Sequence, residues 1–153
     1  MDRRDMLTWG GLAALTAAAS VGARAGAQVT PGDQDAHVIR LFADDAGESY
    51  VEDLPVKPSA GPIPATGMRL NRYAPGTNDW HTVGRGTFAI NTVGELEVEV
   101  STGAKRTIGP SDLVFIHDTH GKGHVTRLIT PVTHLFITVP EDFDILAWAA
   151  GEA

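Results

Sequence analysis

The chain contains no cysteine. Disulfides and thiolate metal ligands are thereby excluded, and any bound metal must be held by imidazole and carboxylate. Long apolar runs are also lacking. The most apolar stretch, Met6 to Val21, is alanine-rich and interrupted by Thr8, Gly10, Gly11, Thr16 and Ser20. Positive charge is scarce: 12 Lys and Arg stand against 19 Asp and Glu, a formal charge of -7. That balance argues against nucleic acid or an anionic membrane as partner. What is present suits one folded domain, since 153 residues with 42% hydrophobic and 20% charged side chains can close a single core.

The amino terminus reads as an address. Arg3 and Arg4 precede the weak apolar run, and Ala23 to Ala27 supplies the small residues of a cleavage site, placed after Ala27. This resembles a twin-arginine export signal. Its glycine and hydroxyl content disfavours an uncleaved anchor, and no cysteine follows it to carry a lipid. The expectation is an export signal at 1–27, no stable membrane anchor after cleavage, and a periplasmic or secreted protein. Removing that segment takes away three arginines and two aspartates, leaving nine basic and seventeen acidic residues and a charge of -8. Residues 28–153 then form a single domain with a short polar leader and a C-terminal tail.

Within that domain, Glu95, Glu97 and Glu99 alternate with Leu96, Val98 and Val100, the pattern of a strand with one wet and one dry face. Turn-forming clusters at 101–105 and 109–112 bracket the next segments, followed by the apolar run Leu113 to Ile116. Strands are expected at His37–Phe42, Ser49–Leu54, Met68–Tyr73, His124–Thr130 and Thr133–Val139. The proline-rich stretch from Pro55 to Gly67 reads as a surface loop. Helical spacing of Phe143, Leu146, Ala147 and Ala150 predicts a short terminal helix. About eight short strands with frequent turns indicate an all-β sandwich or closed barrel.

Two stretches carry a resemblance to the cupin superfamily, whose fold is the double-stranded β-helix, or jelly-roll barrel. Gly76 to His81 is similar to the glycine-to-histidine opening of the first cupin motif. Asp118-Thr119-His120-Gly121-Lys122-Gly123-His124 resembles the DTTGKGH signature of a group of small single-domain cupins. The resemblance spans about residues 38 to 139. It implies a barrel holding a small molecule and, in its usual form, a divalent metal (Fe, Mn, Ni, Zn or Cu) on three histidines and a glutamate. Here the second histidine position is Val83 and the glutamate position falls near Thr87, leaving His81 and His124 of the set.

His117 and His120, in the turn before His124, are candidates for a third metal ligand. Strand alternation puts His117 with Leu113 and Phe115, expected on the barrel side, and His134 with Phe136. The metal candidates are thus His81, His124, His117 and His120; the catalytic pair is His81 and His124. Two functions follow. One is an enzyme of isomerase, lyase or dioxygenase type acting on a small organic molecule, with a histidine-bound metal or with the two imidazoles as acid and base. The other is a non-catalytic binding module with its metal set lost. A homodimer is compatible with both.

Overall fold

The computed structural model describes residues 36–152. The expected export signal and most of the polar leader lie outside the described residues. Ten strands are formed: β1 (Ala36–Ala43), β2 (Ser49–Val56), β3 (Gly67–Tyr73), β4 (Gly76–Thr77), β5 (Thr87–Val93), β6 (Leu96–Val100), β7 (Lys105–Ile108), β8 (Leu113–His117), β9 (His124–Leu128) and β10 (Val132–Thr138). One helix, α1 (Ile145–Ala149), closes the described chain. No helix among the described residues is long and apolar enough to cross a membrane.

The strands form two sheets, ordered β2-β1-β8-β5-β10-β3 and β4-β9-β6-β7. From β3 onward the chain passes back and forth between them, only β6 and β7 being successive in one sheet. Four strands of the larger sheet, β8-β5-β10-β3, thus face the four of the smaller one in jelly-roll order. The remaining two, β1 and β2, extend the larger sheet, β1 lying parallel to β8 while the other pairings are antiparallel. The all-β, cupin-type barrel expected from the sequence is the observed fold.

Alternation explains the smaller sheet directly. Leu96, Val98 and Val100 of β6 are buried between the sheets with Ile39, Leu41, Ala89, Ile108, Val114 and Val132. Glu97 and Glu99 point the other way and share the Lys105 ammonium at 3.4 and 3.0 Å. The larger sheet is different because it is covered on both faces. Its outer side carries a second cluster of Phe88, Phe115, Ile137, Trp148 and their neighbours. The proline-rich loop helps to close that face through Ala60 and Ile63, and Trp148 Nε1 donates to the Gly61 carbonyl at 2.8 Å. Asp144 caps α1 by accepting from the Leu146 and Ala147 amides.

Two-sided burial overturns one expectation. Val114 and Ile116 pack with the inter-sheet cluster, whereas Leu113 and Phe115 pack under α1. His117 follows Phe115, its ring 5.6 Å away, and so faces away from the barrel interior. Apolarity marked both faces of β8 as buried and could not say which was the bore.

Candidate functional site

The site is built on a backbone bridge. The His81 amide donates to the His124 carbonyl at 3.0 Å, and the His124 amide donates back to the His81 carbonyl at 2.9 Å. The Asn78 amide extends the pairing to the Thr126 carbonyl at 3.0 Å. Residues directly opposed across such a bridge put their side chains on the same face. The two imidazoles accordingly lie side by side, with ring centres 4.5 Å apart and planes tilted by 53°.

The loop before β9 is shaped for this approach. Gly123 has φ of +71°, and a Cβ there would overlap the His81 carbonyl. Only glycine lets the two backbones come this close. Gly121, at φ of +79°, packs equally tightly on the Gly47 backbone. The Lys122 amide donates to the Gly47 carbonyl at 2.9 Å, and its ammonium pairs with Glu48 rather than reaching the barrel mouth. Hydrogen bonds from Lys122 and then Ser101 hold the Glu48 carboxyl below the usual range. Ser49 Oγ donates to the Gly123 carbonyl at 2.5 Å, completing the anchorage.

Each ring is then oriented through Nδ1. His124, 3% exposed, donates to Asp118 Oδ2 at 2.6 Å, and Asp118 is fully buried. His81, at the exposed rim, donates to the Asp79 carbonyl at 2.8 Å. These bonds select the tautomer and leave Nε2 as the free nitrogen of both neutral rings. Asp118 was not singled out in the sequence; the signal for it is its place opening the loop that returns at His124.

Both histidines line an open cavity of about 660 Å3, together with Thr126, Leu128, His134 and Phe136. Val83 and Thr87, the motif positions without a ligand side chain, line it too, as do Arg69 and Arg85. A smaller inner chamber of about 40 Å3 shares His124, Thr126 and His134 with it. At this inner end Asn91 and His134 are paired across β5 and β10, and Asn91 Oδ1 and His134 Nε2 are buried without a partner among the described residues.

The other candidates are elsewhere. His120 is exposed, with Nε2 3.1 Å from the Asp44 carbonyl, and neither it nor His117 lines the cavity. Among the described residues no group of three His, Cys, Asp or Glu side chains is placed to hold a metal ion. The donor chemistry agrees: the adjacent imidazoles supply two nitrogens where a metal generally takes three protein ligands, and Val83 and Thr87 offer no strong ligand. The residues present therefore do not fit the metal that the resemblance implied.

Burial lowers the pKa of His117 and of His134 below the ordinary 6.5, with the Arg40 charge adding to the effect at His117. The unfolded chain takes up these protons more readily, so folding loses stability as pH falls through the unfolded histidine range. Lowering pH from about 7.5 to about 5.5 is expected to reduce Tm, and less so in a His117→Gln/His134→Gln double variant. Thermal melts across that window check it; an unchanged pH slope in the double variant contradicts it.

Fold and site together define a small jelly-roll barrel of cupin type with an Asp-supported histidine pair at its cavity. No protein-family model and no curated protein matches the sequence. Solved structures similar to it include a DUF861 family protein from Thermotoga maritima, 21% identical, over 46% of this chain and 76% of that one, with a TM-score of 0.39. The EutQ protein of Clostridium difficile is 21% identical over 50% of this chain and 58% of that one, with a TM-score of 0.42. A cupin superfamily protein from Desulfitobacterium hafniense is 13% identical over 72% of this chain and 83% of that one, with a TM-score of 0.40.

Proposed function

We propose that the barrel binds a small organic molecule in the 660 Å3 cavity and that His81 and His124 move a proton on it without a metal. The observation that carries this reading is the pair of adjacent rings, each tied through Nδ1 and each free at Nε2. Such a pair can take a proton from one side of a carbon or oxygen and return one. Asp118 stabilises the imidazolium that His124 becomes on accepting the proton. His81, at the rim, exchanges protons with solvent. Isomerase- and lyase-type chemistry both need no more than this.

Val83 and Thr87 support a second reading, a binding module that has kept the barrel and lost the reaction. One experiment separates them. The protein is incubated in D2O with a panel of small carbonyl compounds and acids bearing an acidic C–H, and deuterium uptake is followed by NMR with and without chelator. The acid–base reading predicts exchange on at least one compound, unaffected by chelator. Binding without exchange supports the module, and chelator-sensitive exchange contradicts the metal-free chemistry.

A further inference from the structure

The cavity's charge is opposite to that of the protein around it. The chain carries a formal charge of -7, yet no aspartate or glutamate lines the cavity. Its charged lining residues are Arg69 on β3 and Arg85 before β5. Of the other basic side chains, four are matched, Arg40 with Glu52, Lys105 with Glu97 and Glu99, Arg106 with Asp53 and Lys122 with Glu48, while Lys57, Arg72 and Arg127 lie outside the cavity lining. Neither Arg69 nor Arg85 makes a side-chain ion pair or hydrogen bond among the described residues. Arg69 instead lies over the Phe136 ring, 5.0 Å from its centre, a contact that holds the guanidinium at the cavity wall and leaves its N–H groups unspent.

The rest of the lining is mainly apolar, from Met68, Val83, Ile116, Leu128 and Phe136. At about 660 Å3 the space is of the size that takes a small organic ligand. Planar guanidinium groups match the geometry of a carboxylate and bind it through paired N–H donors. An apolar body with one anionic end therefore satisfies both parts of the lining, and a cation does not.

We infer that the cavity takes a small organic carboxylate, its anionic end on Arg69 and Arg85 and its apolar body against Ile116, Leu128 and Phe136. The inference rests on the cavity being the substrate site proposed above, and it adds the class of molecule. Both arginines and both histidines line this one cavity.

The test is an NMR titration of the protein with benzoate, phenylacetate and 4-methylpentanoate, each against its neutral amide, up to tens of millimolar. The acids are expected to bind in the cavity and the amides at least about tenfold more weakly, the effect of losing a charge-assisted pair. Arg69→Gln and Arg85→Gln should each weaken the acids by about tenfold and change the amides by no more than about twofold. Acids and amides binding alike, neither arginine variant affecting the acids, or no acid perturbing cavity resonances would each overturn the inference. Phenyl phosphate binding more tightly than phenylacetate, through the same arginines, overturns the carboxylate assignment. The two proposals fail separately. Carboxylates that bind through the arginines and exchange no deuterium remove the acid–base chemistry alone; exchange on neutral compounds with no preference for acids removes the carboxylate site alone.

Discussion

In a His124→Gln variant, deuterium exchange is expected to fall by about 10²–10⁴-fold, the usual contribution of a positioned acid–base group. Asp118→Asn should fall within the same range, although its side chain touches no ligand. The amide nitrogen of asparagine can donate to the imidazole, and then Nδ1 accepts and Nε2 carries the proton, the wrong tautomer for a base facing the cavity. The stability changes separate the roles. His124→Gln strips the imidazole from a carboxylate that is fully buried and has no other side-chain partner among the described residues, Oδ1 being already unpaired there. Leaving a buried carboxylate without its donor costs on the order of 1–3 kcal/mol or more, and the interaction of glutamine with Asp118 offsets part of that. The double variant Asp118→Asn/His124→Gln removes the charge as well and should recover stability relative to His124→Gln alone. Exchange rates and thermal melts of the three variants check this. A His124→Gln protein that exchanges within about threefold of the parent would end the assignment.

Gly123→Ala is expected to destabilise the fold by about 3 kcal/mol or more and to separate the two imidazoles. A left-handed backbone costs a non-glycine residue about 1–2 kcal/mol. The new methyl group would also overlap the His81 carbonyl, so the bridge must open and lose its two hydrogen bonds, about 1 kcal/mol each. Gly103 is the internal control. It has φ of +82° in the turn before β7, but nothing lies within 4 Å of a Cβ placed there. Gly103→Ala should therefore show only the backbone cost, about 1–2 kcal/mol. Chemical denaturation of both variants measures the difference, and equal losses would show that close approach at Gly123 contributes nothing. Gly123→Ala should also lose proton exchange, while Gly103→Ala keeps it.

The barrel was legible where burial is one-sided. In β6 the alternation of glutamates with Leu96, Val98 and Val100 gives both the strand and its inward face. In β9 the same rule sends His124, Thr126 and Leu128 to the cavity. It failed in β8, which α1 covers on one side and the smaller sheet on the other, so Phe115 looked like a barrel residue while Val114 and Ile116 held that place. The pairing of His81 with His124 was readable from motif positions more than forty residues apart. The carboxylate behind His124 was not, because burial of Asp118 depends on how the loop folds back between β8 and β9. Nor was Arg69, which lines the cavity with the histidines only through the order in which the strands assemble. Trp80 is 50% exposed beside His81, where backbone pairing rather than side-chain packing holds the chain.

The central claim is that two imidazoles share one wall of the cavity, each tied at Nδ1 and open at Nε2. Long-range proton–nitrogen NMR of the protein labelled at histidine nitrogens, with cross-relaxation recorded in the same sample, tests it most directly. For the neutral rings of His81 and His124 the account predicts protons on Nδ1, bare Nε2 nitrogens and a strong cross-peak between the two rings. A proton on Nε2 of His124, or no cross-peak between the rings, would contradict it.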